Sequence, residues 1–260
     1  MTDYNNMNLS IDGSVATLTL NNPPAHTWTL DSLNALKKLV ADLNNNTSVY
    51  SLVIHGEGEK FFSAGADLNT FADGEKGNAI TMAIAFGEAF EALSNYRGVS
   101  IAVINGYAMG GGLECALACD IRIAEAHAVM ALPETSVGLL PCAGGTQNLP
   151  WMVGEGWAKR MILCGERVDA ETALRIGLVE EVTEKGAGLA AGQALAQKVA
   201  KQSPVAVSYS KGLIQAARQN PPMQNLICER EAFVKLFDTA DQQEGVQAFL
   251  EKRKPTWQNK

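Results

Sequence analysis

The sequence is poor in the residues that build metal sites and disulfide frameworks. It contains 3 histidines and 5 cysteines, and no histidine is spaced from a cysteine or another histidine as in a zinc site. The cysteines form no CxxC pair and their number is odd, which is typical of reduced thiols in a cytosolic protein. These absences argue against a metal centre and a disulfide scaffold, and we expect a cytoplasmic protein.

Long apolar runs are also missing. The sequence nowhere contains about 18 consecutive apolar residues, so we expect no membrane-spanning helix. Residues 1–10 lack a basic start followed by an apolar stretch, so we predict no signal peptide. The net charge of −7 argues against a general nucleic-acid binder, because neutralising phosphates requires clustered Lys and Arg.

Several familiar catalytic and nucleotide-binding motifs do not occur. The chain has no GxSxG nucleophile elbow, no GxxxxGK[ST] loop and no GxGxxG after a strand. Gly144-Gly145-Thr146 is a candidate anion-binding turn but is too short to be diagnostic. Cys142 with His127 or His55 is a candidate thiol nucleophile, although a lone cysteine in a neutral glycine loop is usually inert.

The composition is that of a folded protein with one large core. Hydrophobic residues make up 47% of the chain and charged residues 19%, which is too apolar for disorder. A chain of 260 residues suffices for one core, with or without a small appendage.

Short apolar strands alternate with amphipathic helices in the first two thirds of the chain. Helices are predicted from about Asp31, over 79–93 and over 113–119. This alternation predicts an α/β core with mainly parallel strand pairing. The residues predicted on the buried side of the second helix are Ala83, Phe86, Phe90 and Leu93. The predicted strands are Val15–Leu20, Ser51–Ile54, Ile101–Ile104 and Ile121–Ala124.

Strand signals end at about Ala187. Helical patterns continue from there to Lys254, with breaks at Pro204 and at Pro221-Pro222. We therefore predict two regions, an α/β core with the active site over residues 1–186 and a helical region over residues 187–260.

Two glycine-containing segments are candidates for binding a ligand oxygen. Phe61–Leu68 and Asn105–Glu114 each follow a buried strand, and the second one opens a helix. Glycines before a helix leave backbone N–H groups uncovered, and the helix N-terminus adds partial positive charge. Two such segments at neighbouring strand ends offer one N–H each to a single oxygen, which is the arrangement of an oxyanion hole. The alternative is that the glycines only permit tight turns and close packing.

Glu114 and Glu134 are the candidate acid–base residues. Glu114 lies in the first turn of a predicted helix among apolar neighbours, which indicates partial burial, and Glu134 follows an apolar stretch and a proline. Taken singly, each glutamate is typical of a solvated or capping side chain. Two carboxyl groups that face each other hold one proton between them near neutrality and supply an acid and a base. Sequence spacing alone does not bring the two together.

In these segments the chain resembles the crotonase (enoyl-CoA hydratase/isomerase) family. The resemblance implies a spiral of ββα units with a helical C-terminal trimerisation region, usually assembled as a dimer of trimers. The matching segments are Phe62–Leu68, Asn105–Glu114, Asp120–Ala124, Pro133-Glu134, Pro141–Gln147 and Glu244–Pro255.

The resemblance also implies roles for individual residues. The backbone N–H groups of Ala66 and Gly111 are expected to bind a thioester oxygen. Glu114 is expected to activate water for attack at C3, and Glu134 to handle the proton at C2. Coenzyme A is part of the substrate, so no separate cofactor is expected. The carbonyl of Ala64 is expected to accept a hydrogen bond from the adenine amino group, and Lys252 to reach the CoA of a neighbouring subunit. The residues implied in binding CoA and substrate are Ala64, Gly65, Ala66, Asp67, Leu68, Gly110, Pro133, Cys142 and Lys252.

Three segments depart from the family pattern. The basic residue expected near Pro23 is missing or replaced by His26, Cys142 stands where hydratases often have glycine, and residues 69–77 match no pattern for chain length. The side chain of Cys142 is expected to project toward the acyl pocket and restrict it.

The pair of glutamates favours hydration within the family, because addition of water needs both a delivered hydroxide and a delivered proton. The expected activity is that of an enoyl-CoA hydratase in fatty-acid or related acyl-CoA degradation, with neither nucleic acid nor membrane as partner. The alternatives are a CoA-ester isomerase that needs only Glu134, a non-catalytic CoA- or RNA-binding relative, and a structural protein whose glycines only pack.

Overall fold

The computed structural model describes residues 2–218 and 222–260. The strands are β1 Thr2–Asp3, β2 Met7–Asp12, β3 Val15–Leu20, β4 Ser51–Gly56, β5 Phe61–Ser63, β6 Val99–Ile104, β7 Tyr107–Met109, β8 Ile121–Glu125, β9 Val129–Ala131, β10 Val168–Asp169 and β11 Glu181–Thr183. The α-helices are α1 Leu30–Asn45, α2 Lys76–Ser94, α3 Gly111–Ala118, α4 Gly145–Leu163, α5 Ala170–Ile176, α6 Gly188–Val199, α7 Pro204–Ala216, α8 Pro222–Leu236 and α9 Ala240–Leu250. Short 3-10 helices cover Leu68–Phe71 and Glu134–Val137.

The strands form two sheets. The larger has the order β1-β2-β3-β4-β6-β8-β11, with parallel pairing from β3 to β11 and an antiparallel edge formed by β1 and β2. The smaller has the order β10-β9-β7-β5, in which β5, β7 and β9 run parallel.

The chain alternates between the two sheets and then enters a helix. This ββα unit occurs three times in succession, as β4-β5-α2, β6-β7-α3 and β8-β9-α4. Because β4, β6 and β8 are neighbours in one sheet and β5, β7 and β9 in the other, successive units stack on each other. The expected spiral of ββα units is confirmed.

The large sheet is buried on both faces, which explains its continuous apolar runs. One face packs under α1, whose apolar residues recur at helical spacing and are buried. A capping box between Thr29 and Ser32 fixes the start of α1. On the opposite face, Val53, Ile101 and Val103 pack with α6.

Most of the predicted strands and helices are confirmed within a few residues. The prediction that Ala83 lies on the buried side of α2 is wrong, because Ala83 is exposed and Met82 and Ala85 are buried. The short strands β5 and β7 lie inside the two glycine-containing segments that the sequence presented as loops. Three residues are too few to show a strand periodicity.

The C-terminal part of the described chain is helical, as predicted. Lys211 anchors α7 to the core by donating to the carbonyl oxygens of Tyr96 and Gly98 and to the Asp120 carboxylate. Pro221 of the predicted break lies outside the described residues. The division at residue 187 stays a prediction. Among the described residues no helix is both long and apolar enough to span a membrane.

Candidate active site

Three neighbouring strands of the small sheet end at the candidate site. Ala66 follows β5, Gly111 follows β7 and Glu134 follows β9. These strands are adjacent and parallel, so the segments that leave their C-terminal ends lie side by side. The topology thus brings together the parts that the sequence placed in separate segments.

The two glycine-containing segments are in backbone contact. A Cβ at Gly65 would lie 2.6 Å from the carbonyl oxygen of Met109 and 3.1 Å from the amide nitrogen of Gly111. Gly65 also has φ +91, which side chains rarely adopt. Only glycine fits there, and its absence of a side chain lets the Ala66 peptide approach the start of α3.

The amides of Ala66 and Gly111 are free donors. Within residues 2–218 and 222–260, neither N–H donates a hydrogen bond. Gly111 is the first residue of α3, so its N–H has no partner within the helix. The Trp28 backbone holds the strand around Ala66, because its N–H donates to Gly65 O at 2.8 Å and its carbonyl accepts from Asp67 N at 3.3 Å.

The glycines of this region also permit close packing. A Cβ at Gly112 would collide with the carbonyl oxygen of Ser63, so α3 rests directly on β5. At Gly111 a Cβ would lie 2.8 Å from Cε1 of Phe86. The packing alternative is therefore correct for Gly112, and this packing positions the free amide of Gly111.

Glu114 is fixed at the N-terminus of α4. Its side chain is buried, with 2% of the residue exposed, and Oε1 accepts hydrogen bonds from Ala143 N at 2.8 Å and Gly145 N at 2.9 Å. The anion held by the turn at Gly144-Gly145 is thus the protein's own carboxylate. Burial raises the pKa of Glu114, while these two amide hydrogen bonds oppose the rise.

Glu134 is held differently. It opens the 3-10 helix after β9, and both carboxylate oxygens are buried without a hydrogen-bond partner in the described chain. A Cβ at Gly110 would lie 3.0 Å from Oε1, so the carboxyl group faces the turn before α3. Burial raises the pKa of Glu134 to about 7, and the negative charge of Glu114 also contributes. The two carboxyl groups are therefore close enough for the charge of one to affect the pKa of the other, although their hydrogen-bonding surroundings differ.

Cys142 lies beside the glutamates but lacks the partner of a thiol nucleophile. Although the residue is exposed, partial burial of its thiol and the charges of both carboxylates raise its pKa to about 11. His55 pairs with Thr19, and His127 with the carbonyl oxygen of Glu59. The cysteine–histidine alternative is therefore wrong.

His26 does not replace the missing basic residue. It is buried, with 7% exposed, and Nδ1 accepts from Asn22 N at 3.1 Å. Nε2 then carries the proton and donates to the carbonyl oxygen of Glu57 at 2.8 Å. Both ring nitrogens are occupied within the protein, so His26 is not a phosphate contact.

The other predicted binding residues have varied surroundings. The Asp67 carboxylate caps the 3-10 helix by accepting from Asn69 N at 3.0 Å, and Leu68 is exposed. Gly110 has φ +54, which favours glycine, and Pro133 directly precedes Glu134. Lys252 lies in the turn that ends α9 and makes no hydrogen bond to these residues.

Two features of the site were missed from the sequence. The first is the amide of Ala143, which holds Glu114; the sequence marked the adjacent Gly144-Gly145-Thr146 turn only as a candidate anion site and did not connect it with this glutamate. The second is Trp28, whose ring packs edge-on against Phe90 at 5.5 Å, while Phe90 packs against Phe86 at 5.7 Å. For Trp28, the available signal in the sequence was a large aromatic residue between two threonines, Thr27 and Thr29. No cluster of three or more metal-ligating side chains occurs in the described ranges.

Comparisons with known proteins identify the family. The profile described as enoyl-CoA hydratase/isomerase matches residues 10–260. The chain belongs to the enoyl-CoA hydratase/isomerase family. Its relative in Clostridium acetobutylicum, a short-chain-enoyl-CoA hydratase, is 37% identical over 253 residues, which is 97% of each chain.

Two solved structures superpose along nearly the whole chain. An enoyl-CoA hydratase from Bacillus anthracis has a TM-score of 0.94 at 34% identity, covering 98% of this chain and 100% of that one. Pseudomonas aeruginosa DspI has a TM-score of 0.96 at 64% identity, covering 99% of this chain and 98% of that one.

Proposed function

We propose that this protein is an enoyl-CoA hydratase, which adds water reversibly and syn across the double bond of a trans-2-enoyl-CoA to give a 3-hydroxyacyl-CoA. One observation carries the proposal. Two buried carboxyl groups with opposite hydrogen-bonding environments share one site beside two free backbone amides.

The thioester oxygen is assigned to the amides of Ala66 and Gly111. Addition of a nucleophile to C3 moves negative charge onto this oxygen, and two fixed N–H donors stabilise that charge. The positive end of α3 adds to the effect at Gly111. Loss of one such donor typically costs about 3–4 kcal/mol of activation free energy.

The two carboxyl groups divide the proton transfers. Glu114, which accepts two N–H hydrogen bonds, is the ionised base that takes a proton from water as the oxygen bonds to C3. Glu134, which has no donor from another residue and a pKa of about 7, gives its proton to C2. The reaction needs no cofactor beyond the CoA of the substrate.

Assembly into a homotrimer or a dimer of trimers is part of the proposal. The helices after residue 187 expose several large apolar side chains, among them Phe233, Val234, Phe237, Phe249 and Leu250. Monomers rarely expose apolar patches of this kind. We assign residues 187–260 to subunit contacts and residues 1–186 to catalysis, with Lys252 directed at CoA bound by a neighbour.

The test is hydration of crotonyl-CoA, followed as loss of the conjugated-thioester absorbance. We expect Glu114→Gln and Glu134→Gln each to lower kcat by about 10²–10⁴-fold, the usual contribution of a general acid or base. The matched control is Glu155→Gln, an exposed glutamate of α4 paired with Lys159, which should keep full activity.

The same variants separate hydration from its alternatives. A Glu114→Gln variant that hydrates crotonyl-CoA at the wild-type rate contradicts the assignment of Glu114 as the base. A wild-type protein that leaves crotonyl-CoA unchanged but converts a trans-3-enoyl-CoA to the conjugated thioester, with this activity lost only in Glu134→Gln, indicates isomerisation, which needs one acid–base group. A wild-type protein that binds crotonyl-CoA without consuming it contradicts hydration and favours a non-catalytic CoA-binding relative.

A further inference from the structure

A large cavity lies between the core and the C-terminal helices. Its volume is about 1240 Å³, which exceeds the roughly 300–1,000 Å³ that is usual for small-molecule sites. The walls come from α2, α3, the first half of α4, the turn before α4, and α7. Neither proposed catalytic glutamate lines it, so the cavity is a separate compartment beside the reacting atoms.

Three elements contribute residues both to the candidate active site and to the wall of this cavity. On α2, Phe86 packs on Gly111, and Phe90, one turn further, lines the cavity. On α3, Glu114 is followed one turn later by Leu117 and Ala118, which also line it.

The third connection is the turn before α4. The amide of Ala143 binds Glu114, and the same residue forms part of the cavity wall. Cys142 lines the cavity as well and feels the charge of both glutamates. The cavity therefore begins about one helical turn from the oxyanion hole, and Cys142 lies at its mouth.

The inner wall of the cavity is apolar. Phe90, Leu117 and Ala118 are buried there. In the wall, Lys211 Nζ forms an ion pair with Asp120 Oδ2 at 2.8 Å, and it also donates to two backbone carbonyls. Among the other polar lining residues, Glu91 and Gln202 are exposed and form a rim, and the half-buried Gln215 donates a hydrogen bond to the carbonyl oxygen of Ser94 at 2.9 Å. An apolar interior with a polar rim suits an uncharged alkyl chain.

We propose that this cavity holds the alkyl tail of the substrate, so that the protein prefers enoyl-CoA thioesters with chains longer than the four carbons of a crotonyl group. The inference rests on the proposed function. With the thioester oxygen at Ala66 and Gly111 and C3 beside the glutamates, carbons beyond C4 pass Cys142 and enter the apolar compartment.

Chain length provides the first measurement. Each buried methylene contributes about 0.8 kcal/mol, which is about fourfold in kcat/KM when it is fully used. We expect trans-2-octenoyl-CoA to be hydrated with at least a tenfold higher kcat/KM than crotonyl-CoA. A kcat/KM that is equal for the two substrates, or higher for crotonyl-CoA, overturns the inference.

Gly87→Leu tests the location of the tail. Gly87 of α2 lines the cavity, and a Cβ there would meet only Glu91 Oε1 at 3.8 Å, so the backbone accepts a side chain. Leucine also has a higher helix propensity than glycine, which favours folding of the variant. The matched control is Gly156→Leu in α4, where a Cβ would meet nothing within 4 Å and which does not line the cavity.

We expect Gly87→Leu to lower kcat/KM for octenoyl-CoA more than tenfold and to leave crotonyl-CoA within twofold, while Gly156→Leu changes neither. An equal effect of Gly87→Leu on both substrates overturns the assignment. Titration calorimetry with butyryl-CoA and octanoyl-CoA tests the cavity without catalysis, and here too only octanoyl-CoA should lose affinity in Gly87→Leu. If the wild type hydrates neither enoyl-CoA, the proposed function fails, and the calorimetry still decides whether the cavity binds the tail.

Discussion

Glu134 combines burial with an absence of hydrogen-bond donors from other residues of the described chain, and this should lower the stability of the protein at alkaline pH. Its folded-state pKa of about 7 lies above the ordinary value of 4.5. Because this pKa is raised on folding, the contribution of Glu134 to the free energy of unfolding is fully present below pH 4.5 and is lost as the pH rises through 7.

Glu134→Gln should therefore stabilise the protein where the wild-type carboxyl is ionised. We expect the free energy of unfolding of the variant, relative to wild type, to rise by about 1–2 kcal/mol between pH 5 and pH 8, discounted for partial exposure. Urea unfolding at both pH values, at one protein concentration, measures this difference. A difference that does not change with pH would contradict the raised pKa of Glu134.

The identity of the candidate acid–base residues was predictable from the sequence, but their environments were not. Apolar neighbours indicated burial of Glu114, which the structure confirms. The amides that hold it lie 29 and 31 residues away along the chain. The occupation of both His26 ring nitrogens likewise depends on backbone groups brought close only by folding.

The N-terminus of α4 serves as the holder of Glu114. The helix begins at Gly145, and its positive end lies against the carboxylate. A Cβ at this position would lie 2.9 Å from Oε1 of Glu114 and 2.9 Å from Cβ of Pro141.

Gly145→Ala should therefore displace the proposed base. We expect kcat to fall by up to about 100-fold, because small misplacements of a catalytic group have effects of that size. Steady-state hydration kinetics measure it, with Gly77→Ala in the open first turn of α2 as the control. An unchanged kcat in Gly145→Ala would show that the Glu114 carboxylate does not need this fixed position.

A row of aromatic rings connects the two segments that carry the free amides. The backbone of Trp28 forms hydrogen bonds with the two residues that flank Ala66, and its ring packs on Phe90. Phe90 packs on Phe86, whose ring lies against Gly111. Trp28→Leu should leave a gap in this row and loosen the Ala66 amide.

The expected result of Trp28→Leu is a roughly tenfold lower kcat with little change in KM, since a weakened donor acts mainly on the developing charge. The red shift of a conjugated thioester on binding should decrease as well, because it reports polarisation of the carbonyl. Trp28→Phe, which keeps a ring against Phe90, should restore most of both quantities. Leu39→Ala, in the core of α1, controls for general destabilisation.

The longer elements were predictable because their apolar residues recur with a clear period over two or more turns, as in α1. The strands β5, β7 and β9 span three residues each and contain polar or small residues, so the sequence showed only glycine-containing segments around β5 and β7 and an apolar stretch at β9. Those short strands order the candidate site, and their pairing is a property of the assembled fold.

The surface of the C-terminal helices should determine the oligomeric state. Phe233 packs against Phe237 at 5.5 Å, yet both are more than half exposed. We expect Phe233→Glu to shift the protein toward monomers in sedimentation velocity, because a charge in an apolar subunit contact is costly. Ile11→Glu, at an exposed position of β2, should leave the assembly intact. A wild-type protein that sediments as a monomer would contradict the proposed trimer.

Each turn of the spiral ends in at least one candidate reactive group: a donor after β5, a donor and a carboxylate after β7, and a carboxylate after β9. The separation of these groups follows the repeat of about 4.8 Å between paired strands. A mutation or insertion that replaces the group on one turn therefore leaves the groups on the adjacent turns at their original spacing. Such a scaffold can exchange one chemical function at a time, which makes it a convenient starting point for engineering new thioester reactions.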